Sequence, residues 1–375
     1  MKNLRLLGLL VMLASSSLFV NCTSDPIAGP DGTAGIDGTD GLDGLDGLDS
    51  TADCRSCHSV EHRDPIKADY ASSVHATGSS WARGSSGSCA QCHSNEGFID
   101  FQEMGFVSDA GKTENPITCN GCHNPIDGHR SFDFDTDGND YALRTFAPVD
   151  LIVGHQAITD STFTASIVLD GTNDSDVMGA SNACISCHQP RRSGPIADTD
   201  GKYLQTSGHW GPHHGPQSTL LEGIQGMEIT GTESYPAAGT AGHKEGSSCI
   251  ACHMTENGHT WEPSTASSAT CTSCHDEKTE VTGYAANMEI LAGQLALVEG
   301  QEIDGDDNPV FEADGTTPVM ITGLVLDNEP QTGLFDIKDA EAGWNYLFLL
   351  EDKSNGVHNP DYAKALLQNS IESLQ

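Results

Sequence analysis

The chain has 375 residues, with 17 Lys and Arg against 54 Asp and Glu, a formal charge of −37. That balance excludes a nucleic-acid partner, because gripping a phosphate backbone needs clustered cationic side chains. Apolar residues make up 37% of the sequence, which leaves a core of side chains alone thin for this length, and 13 Cys with 16 His need an explanation.

Residues 1–21 place Lys2 and Arg5 ahead of an apolar run from Leu6 to Val20 with no acidic residue. This is the layout of an export signal peptide, and the run is short for a transmembrane helix. Cys22 follows in Leu18-Phe19-Val20-Asn21-Cys22. The segment resembles the bacterial lipoprotein pattern, in which cleavage precedes a cysteine that then carries lipid. Phe19 and Asn21 depart from the small residues usual there, and an ordinary signal with a leftover Cys22 is the alternative. Removing residues 1–21 moves the charge from −37 to −39.

Residues 22–50 form the next segment. Positions 29–49 are seven Gly-X-Y triplets, three of them Gly-Leu-Asp, with Pro30 as the one imino acid. A collagen triple helix needs far more imino acid, so the segment reads as an acidic, self-repelling tether, with assembly through these triplets as the alternative. From Thr23 to Ser50 it would reach roughly 30 Å as a coil and about 90 Å when taut.

The twelve remaining cysteines fall into six Cys-x-x-Cys-His units. The first three are Cys54, Cys57 and His58, then Cys89, Cys92 and His93, then Cys119, Cys122 and His123. The last three are Cys184, Cys187 and His188, then Cys249, Cys252 and His253, then Cys271, Cys274 and His275. In an exported chain, disulfides are the first expectation for so many thiols, but the spacing is that of c-type haem attachment. Two thiols add to the haem vinyl groups and the adjacent imidazole reaches the iron. Zinc would pair such units into tetrahedral sites, and redox dithiols need a low-pKa thiol at a helix start; six units each ending in His fit neither. The cofactor expectation is six covalently bound haem c groups.

Ten histidines stand outside the motifs: His62, His75, His129, His155, His209, His213, His214, His243, His259 and His358. Six bis-His haems would need six of them, and eight Met offer the alternative of His/Met ligation. His62, four residues past His58, is too near its own motif to fold back over that haem and would serve a neighbouring one.

At these residues the chain resembles the multihaem cytochrome c superfamily that includes pentahaem nitrite reductase and its electron-transfer relatives. The resemblance lies in Tyr70-Ala-Ser-Ser-Val-His75, in Cys184 to Arg191 followed by His209-Trp-Gly-Pro-His213-His214, in His243 through Gly258-His259-Thr260, and in Gly356-Val-His358. It implies His75, His209, His214, His243, His259 and His358 as distal iron ligands, with His213 and His129 as substitutes. Nitrite reductases usually hold their catalytic haem through a Lys in place of the motif His. All six motifs here end in His, which counts against that enzyme.

Motif starts are separated by 35, 30, 65, 65 and 22 residues, so 51–275 reads as one hexahaem domain, too rich in Gly and Ser for helices beyond short ones at the motifs. Haem faces would supply the apolar core that the side chains lack. Residues 276–375 contain no haem motif and read as largely helical. Helical spacing runs over Asp276–Gly300, Asp339–Leu350 and Asn359–Leu374, with two short β-like runs within Val310–Leu326. The expected fold class is mainly α with extensive irregular loops, packed haems as the core and a helical C-terminal region. His358 is aimed inward as a ligand in one reading and is a loop residue in the other.

Asp133, Asp135 and Asp137 resemble the start of a calcium loop, but Arg144 stands where an EF-hand has its bidentate Glu, so a solvated acidic turn is the competing reading. The functional expectation is an electron carrier, periplasmic or at the outer membrane or cell surface. It is held to the membrane by a lipid anchor only, and its redox partners present basic or cationic docking surfaces. The alternatives are a haem-based reductase or oxidase of a small nitrogen or sulfur compound, and a filament-forming homo-oligomer.

Overall fold

A computed structural model of the chain describes residues 59–123, 143–153, 166–254, 258–263, 269–276 and 281–375. Cys22, the 29–49 triplets, the first motif (Cys54, Cys57 and His58), His129, His155 and the acidic run Asp133, Asp135 and Asp137 lie outside them. The described residues belong to one compact unit spanning Thr51–Gln375. No described helix is long and apolar enough to cross a membrane.

The N-terminal part opens with helix α1 (Val60–Ser72), whose N-cap Ser59 accepts a hydrogen bond from the His62 amide, and a short turn α2 (Val74–Thr77). A 3-10 turn over Ser80–Arg83 leads to α3 (Gly87–His93) and α4 (Asn95–Met104). Ser94 separates the last two, and its hydroxyl accepts from the Gly97 amide at 3.1 Å, the N-cap contact that restarts the helix. Gly97 itself is required there. A Cβ would stand 2.4 Å from the Ala90 carbonyl oxygen, so a side chain would push α4 off α3. α1 and α4 exceed the short motif helices that the Gly and Ser content led us to expect, because both start on a Ser cap and α4 ends on left-handed Gly105.

Onward the elements are brief: α5 (Cys119–Cys122), the pair β1 (Val149–Asp150) and β2 (Val168–Leu169), α6 (Asn182–Ile185), β3 (Lys202–Gln205), α7 (Gln217–Glu222), α8 (Gly242–Gly246), α9 (Cys249–His253), a 3-10 turn at Gly258–Thr260, and α10 (Ala269–Thr272). Long irregular stretches join them.

The C-terminal part is differently built. Helix α11 (Tyr284–Leu295) is followed by β4 (Glu299–Gln301), β5 (Met320–Thr322), the small hairpin β6 (Val325–Leu326) and β7 (Glu329–Pro330), then β8 (Gly333–Asp336), α12 (Ile337–Asp352) and α13 (Pro360–Ser373). Pro360 takes the first turn of α13 and the Asn359 side chain caps the Tyr362 amide at 3.2 Å, as the sequence signal indicated. Strands β3, β8, β4 and β5 form an antiparallel sheet in that order, with Tyr203 opposite Phe335. β3 comes from the motif-bearing part, so the sheet ties the two compositional regions together.

Apolar burial is uneven. Of the 31 buried apolar side chains among the described residues, 20 lie beyond residue 275, gathered where α11, α12 and α13 pack on the sheet around Leu291, Phe335, Trp344, Phe348 and Leu366. The far longer stretch from 59 to 275 holds 11, with a small cluster of Leu151, Leu169 and Ile185. Its elements are arranged instead around cysteines and histidines.

Candidate haem-ligand pairs

Each described motif sits on a short helix: on α3, α5 and α9, and across α6 and α10 into the residues that follow them. One helical turn puts the first and second Cys on one face, and the His one residue further on projects beside them. None of the ten described motif cysteines is joined in a disulfide, so the first expectation for an exported chain does not hold at these positions. Thiols of different motifs are brought side by side: Cys92 lies within hydrogen-bonding reach of Cys187, and Cys184 within reach of Cys249. The second cysteines of the last two motifs are placed differently from each other. Cys252 is half-buried on α9, its sulfur 3.4 Å from the Ser247 hydroxyl oxygen. Cys274, beyond the end of α10, is exposed, and the Ser273 hydroxyl donates to its sulfur at 3.7 Å.

All five described motif imidazoles face one histidine from outside the motifs. The ring centroids are 6.3 Å apart for His93 and His213, 6.2 Å for His123 and His259, and 6.2 Å for His188 and His75. They are 6.4 Å apart for His253 and His358, and 6.1 Å for His275 and His243. An imidazole nitrogen binds a metal at about 2 Å, and its ring centroid lies about 1 Å behind it, so two imidazoles on opposite sides of one iron hold their centroids about 6 Å apart. The five spacings fit that requirement. The ring planes cross at 90°, 79° and 79° for the His93, His188 and His275 pairs, and at 36° and 44° for the His123 and His253 pairs.

The rings are also oriented from behind. A ligand imidazole that donates its Nδ1 proton to an acceptor presents the Nε2 lone pair on the far side. His253 Nδ1 donates to the Trp261 carbonyl at 2.9 Å, and His243 Nδ1 to the Val357 carbonyl at 2.6 Å. His188 Nδ1 stands 3.3 Å from Gln217 Oε1, whose amide nitrogen donates onward to the Glu351 carbonyl. His358 Nδ1 lies 2.6 Å from Asp352 Oδ1, a carboxylate with no exposed side-chain surface. Burial lowers the pKa of His75 and His213 to about 4 and holds His93, His188 and His259 below the ordinary imidazole value, favouring the neutral form, which is the one able to bind a metal. At His358 burial works against the charge, but the Asp352 carboxylate outweighs it and the pKa ends raised.

Of the expected distal residues, His75, His243, His259 and His358 each face a motif imidazole. Neither His209 nor His214 faces a described motif imidazole. His213, placed below them as a substitute, takes the position opposite His93. His209 is exposed, and His214 bonds through Nδ1 to the Glu351 carboxylate, which raises its pKa. His213 and His214 have φ of 72° and 59°, consecutive left-handed residues whose rings lie 5.5 Å apart, with His213 the one set opposite His93 and His214 bonded to Glu351. His62 lies exposed on α1.

Sequence reasoning missed the supporting shell. Arg191 contacts the Cys89 sulfur at 3.5 Å, and both it and Arg83 act electrostatically on His93. Ser218 has a buried hydroxyl without a protein partner, in a cavity shared with Lys244 and Cys249. Such polar groups beside the cysteines suit haem propionates. Arg144, read as the misfit of a calcium loop, bonds the carbonyls of Asn120 and Gly121 in the third motif and pairs with Glu103. Among the described residues no three His, Cys, Asp or Glu side chains converge as a metal-binding cluster.

No family model and no curated protein matches this chain. Among solved structures it is similar to an undecaheme cytochrome from the S-layer of Carboxydothermus ferrireducens, at 13% identity and a TM-score of 0.41. The match takes in 76% of this chain and 37% of that one.

Proposed function

We propose that the chain is an exported multihaem c-type cytochrome that carries electrons between redox partners at the cell envelope or surface. The observation that carries the reading is the set of five motif histidines, each facing one other imidazole at 6.1–6.4 Å. When bound, the haem groups supply one-electron exchange between ferrous and ferric iron. The chain's own residues do the rest. The paired cysteines would hold each group covalently, and the two facing imidazoles of each of the five described pairs would bind its iron. The carbonyl, amide and carboxylate acceptors behind the rings hold them still, which keeps rearrangement on electron exchange small. Neighbouring thiols, Cys92 by Cys187 and Cys184 by Cys249, would hold the corresponding groups close enough for electron exchange.

Export, possession of a lipid at Cys22 and a calcium ion at Asp133, Asp135 and Asp137 belong to the same proposal and rest on the sequence. The acidic chain suits partners with cationic docking faces. The test is a pyridine haemochrome count on the exported protein, with carbon monoxide added to the reduced form. Six haems per chain and no carbon-monoxide adduct support a carrier. Fewer haems overturn the hexahaem reading, and an adduct with turnover of nitrite or hydroxylamine overturns the carrier reading in favour of an enzyme.

A further inference from the structure

Trp261 stands where three of the proposed ligand pairs meet. Its ring centroid is 4.4 Å from that of His75, crossing at 86°, and 5.4 Å from that of His259, crossing at 75°. Its backbone carbonyl accepts the Nδ1 proton of His253 at 2.9 Å. His75 faces His188 of the fourth motif, His259 faces His123 of the third, and His253 belongs to the fifth. Tyr70 backs the indole at 6.3 Å and is itself anchored, its hydroxyl donating to the Ile117 carbonyl at 2.6 Å.

The backbone shows that this placement is imposed. Trp261 has φ of 56°, a left-handed conformation that is unfavourable for a bulky side chain and that persists only where the surroundings fix it. In that conformation the indole turns to two histidines while the carbonyl points at a third.

We infer that Trp261 is a positioning residue shared by three haem sites: its indole sets the ring orientation of His75 and His259, and its carbonyl sets that of His253. The inference rests on the bis-His reading above. The fourth site, which also abuts the second through Cys187 and Cys92, is then a junction of the haem array and not one position in a single file.

The ligand-plane angles supply a readout that folding alone would not move. Ferric haems with nearly perpendicular imidazole planes give highly anisotropic paramagnetic resonance signals, and those with smaller angles give rhombic ones. Trp261 touches one pair of each kind, His75 with His188 at 79° and His259 with His123 at 36°. The experiment compares the full-length holoprotein with W261G, which suits the left-handed backbone and keeps the carbonyl, and with W261F and W261L. A pyridine haemochrome count is made first on the wild type; a count other than six there is a failure of the cytochrome reading and not of this inference. With six haems, W261G and W261L are expected to shift one anisotropic and one rhombic signal and to leave the others in place. W261F, which keeps an aromatic wedge, is expected to restore both. Unchanged spectra in W261G and W261L overturn the inference, as does a W261F spectrum displaced as far as that of W261L. If W261G loses haem, the comparison of W261F with W261L decides by the same two outcomes.

Discussion

Asp352 shows how one buried carboxylate can distinguish otherwise similar sites. It accepts from the Ser354 amide at 3.1 Å and from His358 Nδ1, so its charge is stabilised and faces the ligand ring. Electron density pushed toward the imidazole favours ferric iron. Asp352→Asn should therefore raise the midpoint potential of the His253–His358 haem, by about 60 mV for each tenfold loss of ferric preference, as read by spectroelectrochemical titration. At the neighbouring cluster, His213→Ala should open one iron, producing a high-spin signal and carbon-monoxide binding, whereas His214→Ala should leave the spectrum low-spin. At this scale the motif member of each imidazole pair was legible in the sequence and its partner only partly so. Cys-x-x-Cys-His is a local pattern whose geometry a single helical turn enforces. The choice among His209, His213 and His214 depends on two left-handed residues and on Glu351, which is 137 residues from His214. Trp261 lies two residues from His259, a proximity that could have drawn attention to it. Asp352 has no such cue.

Elements divide by what stabilises them. Helices α12 and α13 carry continuous buried faces, and their positions follow from periodicity and from the Asn359-Pro360 start. The sheet was less legible, because β3 joins β8 across more than a hundred residues and each strand has at most four. Phe348, fully buried in the α11–α12–α13 cluster, gives a direct test. Phe348→Ala should cost about 3–5 kcal/mol of stability, seen as a lower melting temperature with the haem count unchanged. The short motif helices should respond in the opposite way. Their order should depend on haem more than on apolar packing, so apoprotein should retain protection from hydrogen exchange in α12 and α13 and lose it in α3, α5 and α9. The five ring-plane angles add a spectroscopic expectation: oxidised protein should show both strongly anisotropic and rhombic low-spin signals, from the three near-perpendicular and the two tilted pairs.

For the whole molecule, the low apolar fraction and the surplus of histidine have a common account in the proposed cofactor set. A side-chain core exists where the motifs are absent, and imidazole pairs organise the part where they are dense. The charge of −37 has a kinetic consequence. Electron exchange with a cationic partner should slow steeply with added salt, measured by stopped-flow mixing across a range of ionic strength, while a neutral small-molecule reductant should show little dependence.

The pairing of ligands also sets an order in time. His93, His123 and His253 have partners that follow them in the chain by more than a hundred residues, while His188 and His275 have partners that precede them. On the proposed reading, a chain exported from its N-terminus would bring the second, third and fifth motifs across the membrane before the histidines that face them. The His253–His358 pair would then form only after α12 had followed, since His358 lies between α12 and α13.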